Sequence, residues 1–578
     1  MSSVNNKLVI IGIDGATFDI ILPMVKNGEL PTLGKLIENG VYGELNSTIP
    51  PMTPPAWSSF ATGLNPGKHG IYDFTERVSG TYSIRFVNAS MRNGKCMWTI
   101  SSEHGKRVAV MAVPFTYPPE EVNGVMISGI DAPGVGAQGD TSMMYPRELY
   151  HEIEKEVGRY IVSSNPMNDI YKGEMESALN RILTAVERKG ETAKYLLSKD
   201  DWDQFVMVFG ETDLVGHHFW KYYDPDSPFY EESSDAVKFS VQTVYKKIDT
   251  KIGEMLDIAP EGASVMIVSD HGFGGNNDIV VHLNNVLEEM GLLKFNKSGL
   301  DYIVASVLDK VKKIGLRLTP PVIKKELIKK QRGGLVNKME SKIRFSMIDW
   351  SKTSAFSEET PYFPSIWVNL KGREPGGIVS EGEEYNRVVD EIIKKLKELK
   401  DPFNNCNMIN AVYRRDEIYS GESAAKSPDI IIDWNTPGGY SYISRPSLYS
   451  KNGETVRKFT QEELRQDKFR NKSGNHRQHG IFIGSGGAFL NGDKIENAQI
   501  IDIAPTALYI QGVPIPETMD GTVLNDTITS EFKQNNKLNY SSHSPENDSN
   551  SDNNDETPYT EEESEIIQKR LQDLGYID

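Results

Sequence analysis

Cysteine is nearly absent: Cys96 and Cys406 are the only two in 578 residues. A pair so far apart, in unlike surroundings, is neither a disulfide framework nor a thiolate metal site. Long apolar runs are missing too. No stretch reaches the roughly 18 to 20 residues that a membrane-crossing helix needs, and the opening MSSVNNKLVIIGIDG has one lysine and too short an apolar run before Asp14 for a signal peptide. These absences predict a cytoplasmic protein without a transmembrane segment. Positive charge is also in deficit. A net charge of −18 argues against bulk nucleic-acid binding, which needs a basic surface for backbone phosphates. It does not argue against a small anionic substrate, because bound metal ions can invert the local field of an acidic pocket.

The acidity is uneven along the chain. Residues 541–578 hold eleven acidic and two basic side chains, so half of the net charge sits there. Ser541 to Thr557 is mostly Ser, Asn, Asp and Glu with almost no apolar anchor, which predicts disorder. Order should resume at Tyr559-Thr560-Glu561-Glu562-Glu563, a capping-box pattern leading to Ile566, Ile567, Leu571 and Leu574, with Gly575 as terminator. That helix either docks on the body or binds a partner. A second anomaly is Lys310 to Arg344, with twelve Lys/Arg against two Asp/Glu and Pro320-Pro321 splitting two helical stretches. It reads as a charge-rich helical surface; as a nucleic-acid module it lacks interleaved aromatic platforms.

Strands and helices alternate from the outset. Leu8 to Ile13, Gln204 to Phe209, Ser264 to Val268 and Gly480 to Ile483 are short apolar runs bounded by polar residues, as buried strands are. Pro31 opens a helix with Leu33, Leu36 and Ile37 on one face, stopped by Gly40, and Ser177–Leu197, Val241–Leu256 and Glu383–Leu399 are also helical in period. This grammar predicts an α/β fold with a mostly parallel sheet covered on both faces, binding ligands beyond the carboxyl ends of the strands. The expected partition is a core over 1–280, an inserted cap over 281–470, the rest of the core over 471–533, an acidic linker over 534–558 and a helix over 559–578.

Four segments place Asp and His where strands should end: Ile13-Asp14-Gly15, Glu211-Thr212-Asp213-Leu214-Val215-Gly216-His217, Val268-Ser269-Asp270-His271-Gly272 and Gly474-Asn475-His476. Carboxylate oxygen and imidazole nitrogen are the usual ligands of zinc or manganese, and an Asp four residues before a His can face the same ion across one helical turn. One such pair would fit an ordinary loop; four, each beside a glycine, point to a metal centre. A fifth segment, Pro50-Pro51-Met52-Thr53-Pro54-Pro55-Ala56-Trp57, sets Thr53 on a proline-stiffened turn before a helix. There its hydroxyl is either a helix N-cap or a nucleophile toward phosphorus.

The ordered motifs LVIIGIDGATFD, LPTLGKLIENG, PPMTPPAWSSFATGLNPGKHGIYDF, ETDLVGHHFW, IVSDHGFG, GNHRQHGIFIGSG and DIAPTALYIQGVPIPETMDG span residues 8 to 520. Together they resemble the type I phosphodiesterase and nucleotide pyrophosphatase branch of the alkaline phosphatase superfamily, especially its cytoplasmic prokaryotic members. The resemblance implies an alkaline phosphatase-like three-layer α/β/α sandwich with a large inserted cap. It implies two divalent metal ions, zinc or alternatively manganese. Asp213, His217 and His476 would hold one, and Asp14, Asp270 and His271 the other. Thr53 would ligate the second ion and act as nucleophile, through a phosphothreonine, on a small phosphoester substrate. His479 and His218 sit beside two of these ligands and compete for the assignment only by proximity. One position departs from the family: where nucleotide pyrophosphatases have an asparagine that contacts the substrate phosphate, this chain has Phe74, and a phenyl ring has no conventional donor. Arg373 is a candidate replacement by charge and motif. The expected activity is hydrolysis of a phosphodiester or related phosphoester; the alternatives are a phosphomonoesterase, a phosphomutase or a non-catalytic metal-containing binding protein.

Overall fold

The computed structural model describes residues 6–82, 84–133, 141–296, 345, 347–359, 363–447, 450, 453–460, 463, 472–542 and 559–574. The basic interval Lys310–Arg344, most of the acidic stretch Ser541–Thr557 and Gly575 lie outside them. Seven strands build the main sheet: β1 (Leu8–Ile13), β2 (Gly40–Asn46), β3 (Val108–Met111), β4 (Gly124–Ile127), β5 (Gln204–Phe209), β6 (Ser264–Val268) and β7 (His479–Ser485), in the order β2-β7-β6-β1-β5-β3-β4 with short edge strands beyond. β6, β1, β5, β3 and β4 are mutually parallel. β7 runs antiparallel to both β6 and β2. Its reversal has a simple cause: the chain reaches β7 from His476, at the end of the sheet where β1, β5 and β6 finish, so it must run back from there.

β1 shows why an unbroken apolar run belongs at the sheet centre. Val9, Ile11 and Ile13 enter one core while Leu8 and Ile10 enter the other, so both faces of the strand are buried. The helices α1 (Phe18–Lys26), α2 (Pro31–Glu38), α3 (Thr53–Thr62), α4 (Met175–Lys199), α5 (Glu211–Tyr223), α6 (Ser240–Leu256) and α7 (Ile503–Ile510) supply the outer layers. α1, α2, α4, α5 and α6 share the first core, and α3 and α7 share the second. A buried ion pair, Lys189 to Glu211 at 2.9 Å, ties α4 to the first turn of α5.

Residues between Ile279 and Tyr442 form a third core of their own. It comprises an antiparallel sheet of Ala355–Phe356, Ser365–Val368, Ile430–Trp434 and Ile409–Arg414, with the helix Glu383–Lys397 laying Val388, Val389, Ile392 and Leu396 against it. The hairpin Thr75–Arg77/Ile84–Phe86 reaches up to this cap, where Tyr82 stacks on Trp350 at 4.0 Å and Arg77 bonds Glu374 at 2.7 Å. At the other end of the chain the helix Glu561–Leu574 docks on the body. Thr560 and Glu563 cap it reciprocally, Tyr559 stacks on Tyr117 with ring centroids 6.0 Å apart, and Ile567 and Leu571 join the first core. Among the described residues no helix is long and apolar enough to cross a membrane.

Candidate metal centre

The loops after β1, β5 and β6 and the strand Gly474–Arg477 before β7 converge at one end of the sheet, bringing two groups together. Asp213, His217 and His476 form one; Asp14, Asp270 and His271 form the other; all six are buried, with ligand atoms in each group within 4.8 Å of one another. Asp213 and His217 stand one turn apart on α5, with His217 Nε2 3.3 Å from Asp213 Oδ1, and His476 Nε2 lies 3.2 Å from that same oxygen. Helical spacing thus does for this pair what the sequence suggested. His271 Nε2 is 3.5 Å from Asp14 Oδ1 and 3.3 Å from Asp270 Oδ2. The His271 and His476 rings stack at 3.7 Å, so the two groups share a wall.

The hydrogen bonds fix which nitrogen each imidazole turns inward. His217 Nδ1 bonds the Gly474 carbonyl at 3.0 Å, His476 Nδ1 the Pro51 carbonyl at 2.9 Å and His271 Nδ1 the Gly272 carbonyl at 3.0 Å. A carbonyl only accepts, so each Nδ1 carries a proton and each ring turns its Nε2 toward the site. Burial, with His476 adding to it, holds His271 well below the usual imidazole range, and burial lowers His476 likewise. His217 Nε2 and His476 Nε2 face each other at 3.0 Å, beside the Asp213 carboxylate. A cation held there would take both nitrogens as ligands.

The second group makes the same demand. Among the described residues, no N–H or hydroxyl group donates to the buried Asp14 Oδ1 and Asp270 Oδ2, which is costly for a carboxylate. Burial and the facing carboxylates push both groups well above the ordinary carboxylate range. The donor set, three carboxylates and three imidazoles, therefore fits two divalent ions of the zinc or manganese type.

Thr53 is fully buried. It is the first residue of α3 rather than part of the preceding turn, and the capping position belongs to Met52, which makes no side-chain cap bond. The Thr53 hydroxyl is therefore not spent as an N-cap; it lies 3.5 Å from His271 Nε2. Pro54 and Pro55 carry no N–H, so the first turn of α3 offers an anion fewer donors than an ordinary helix N-terminus.

Supporting residues that the sequence did not flag surround these groups. Trp57, one turn on from Thr53, donates its indole N–H to Asp14 Oδ2 at 3.1 Å. Gly12 makes room for that ring: a Cβ there would lie 2.4 Å from Trp57 Cη2. Ser269 Oγ accepts from Ala16 N at 2.8 Å and donates to the His271 carbonyl at 2.7 Å, and Thr212 donates to the Asp14 carbonyl at 2.5 Å. Trp57→Phe should leave the fold intact but weaken the ion affinity of the Asp14 group by roughly 10-fold, as loss of a ligand-orienting bond does; metal titration of the purified variant reads this directly.

Three other residues fall away from the centre. His479 is half-exposed and faces Glu44 at 3.3 Å. Phe74 is buried edge-on against Phe115 in the first core. Arg373 is committed inside the cap: it bonds both oxygens of the buried Asp429, at 2.8 and 2.5 Å, and Glu374 at 3.0 Å. Charge and motif, which made it a candidate phosphate donor, do not reveal these partners.

The sequence profile of the type I phosphodiesterase / nucleotide pyrophosphatase family matches residues 8–458. The chain belongs to this family. Five of the six Asp/His residues lie inside the matched span, with His476 beyond it. Among solved structures, the family member is similar in fold to phosphonoacetate hydrolase from Sinorhizobium meliloti 1021 in complex with phosphonoformate, at 13% identity over 88% of this chain and 95% of that one, with a TM-score of 0.50. The same hydrolase in complex with phosphonoacetate matches with the same values. Human ectonucleotide pyrophosphatase / phosphodiesterase 5 aligns at 12% identity over 91% of this chain and 100% of that one, with a TM-score of 0.47. The likeness in fold to the hydrolase agrees with a central sheet covered by helices on both faces. No curated protein matches the chain in sequence.

Proposed function

We infer that this family member hydrolyses small phosphodiesters with two divalent ions, zinc or alternatively manganese, and Thr53 as nucleophile. The observation that carries the reading is the Thr53 hydroxyl: buried, free of any capping duty, and beside two clusters whose donors call for cations. Asp213, His217 and His476 would hold one ion and Asp14, Asp270 and His271, with Thr53, the other. Such ions supply the positive charge that lowers the pKa of a hydroxyl or water and stabilises the attacking and leaving oxygens.

Thr53 Oγ bonds to phosphorus as the opposite ester P–O bond breaks, and the proton that its hydroxyl loses goes to the leaving alcohol. The product is a phosphothreonine ester. Water then attacks phosphorus, the threonine P–O bond breaks, and the monoester leaves as Thr53 regains its proton. The α3 macrodipole favours the anion at this position. The three imidazoles are held by backbone carbonyls, Asp270 by the Gly15 N–H and Asp14 by the Trp57 indole, so little reorganisation is needed.

The test compares metal-loaded enzyme on bis(4-nitrophenyl) phosphate and 4-nitrophenyl phosphate. We expect kcat/KM to favour the diester by at least about 10-fold, equivalent to roughly 1.4 kcal/mol. Preference for the monoester would overturn the diesterase assignment, and bound metal without turnover of either would favour a binding protein.

A further inference from the structure

Arg477 stands next to His476 on the strand Gly474–Arg477, so its side chain leaves on the face opposite the candidate metal ligand. The guanidinium is held by backbone carbonyls from three segments. Nη1 donates to its neighbour His476 at 2.9 Å and to Asn475 at 3.4 Å; Nη2 donates to Gly275 at 2.6 Å and to Gly439 at 2.7 Å. Gly275 belongs to the strand Gly272–Val281, which pairs with the strand of His476. Gly439 belongs to the turn that leads into the strand Tyr440–Ser444. The group lies flat on Gly274, where a Cβ would sit 2.6 Å from Nε and 2.7 Å from Cζ. Among the described residues no carboxylate is within ion-pair distance of it. A charged group anchored only by carbonyls is well suited to setting backbone positions. A lysine, with one compact ammonium, cannot span the same three segments.

The placement matters because His476 is held from both sides. Its ring is anchored by the Pro51 carbonyl, and its own carbonyl by Arg477. Arg477 also lines a cavity of about 610 Å³ between the core and the cap, which Gly439 and Asp433 border from the cap side and Thr17 and Asp19 from the core. The guanidinium is thus the direct link from that junction to the strand bearing His476.

We propose that Arg477 is a positioning residue that sets His476 for its ion and couples the Gly439 turn to the metal centre. This rests on the two-ion reading of the site. The test is metal binding by the full-length protein, by competition with a chromophoric zinc chelator, in Arg477→Ala and Arg477→Lys, with unfolding midpoints recorded in parallel. Wild type should bind two ions. Arg477→Ala should bind one of them at least 10-fold more weakly while remaining folded, Arg477→Lys should not recover it, and millimolar methylguanidinium should restore tight binding to Arg477→Ala. Two ions bound with wild-type affinity by Arg477→Ala would overturn the proposal. So would restoration by Arg477→Lys, or a weakening that only follows the unfolding midpoint and is not rescued by methylguanidinium. A wild type that binds no second ion would instead overturn the reading of the site itself.

Discussion

Thr53→Ala should lower kcat on bis(4-nitrophenyl) phosphate by at least about 10³-fold, roughly 4 kcal/mol of transition-state stabilisation. The substitution removes the one oxygen that the mechanism asks to bond phosphorus. It should leave the fold almost untouched: Thr53 supplies no capping bond, and its neighbours Pro54 and Pro55 set the helix start independently of it. The six Asp/His residues also stay in place, so both ions should remain bound. Metal content and unfolding midpoint measured beside kcat separate loss of the nucleophile from loss of the site. Near-normal turnover by metal-loaded Thr53→Ala would assign the attack to water or to another residue. Thr53→Ser keeps a hydroxyl and should retain far more activity than the alanine variant.

The second large effect concerns Asp213. Its Oδ1 lies 3.3 Å from His217 Nε2 and 3.2 Å from His476 Nε2, at the meeting point of one group. Asp213→Ala leaves two imidazoles with no carboxylate, and a direct ligand should matter more than the 10–100-fold typical of a residue that only orients one. We expect more than about 100-fold weaker binding of one ion and loss of nearly all turnover, with the other ion still bound by Asp14, Asp270 and His271. Chelator competition, read as two separate dissociation constants, checks this. Simultaneous loss of both ions would mean that the groups act as a single site.

The frame was legible where one physical signal dominated. Leu8–Ile13, Gln204–Phe209 and Ser264–Val268 are strands at the residues expected, because a β-branched or aromatic run with no polar face has to lie in the sheet interior. The Asp and His residues stood out because each follows or precedes such a run, and the structure gathers them into two groups. Direction was not legible: Gly480–Ile483 has the same apolar text as the parallel strands, yet its strand is antiparallel. Only the position of His476, ahead of its strand rather than after it, carries that information.

Partners were the least legible feature. Trp57 looks like any core tryptophan until its indole N–H is seen on Asp14. Arg373 and Arg477 are both single arginines near glycines. One is neutralised by Asp429 within the cap, whereas the other holds the carbonyl of His476. Charge and local motif do not distinguish them, since Asp429 is 56 residues from Arg373 and Gly275 is 202 residues from Arg477. Phe74 shows the converse. Its departure from the family pattern was visible at once, but its burial against Phe115 as a packing residue was not.

The covalent intermediate is the centre of the account, and the stereochemical course at phosphorus tests it most directly. A diester made chiral by sulfur at phosphorus, hydrolysed by metal-loaded enzyme in isotopically labelled water, should give product with net retention, because two in-line displacements each invert the centre. Net inversion would show a single attack by water and would contradict Thr53 as the nucleophile.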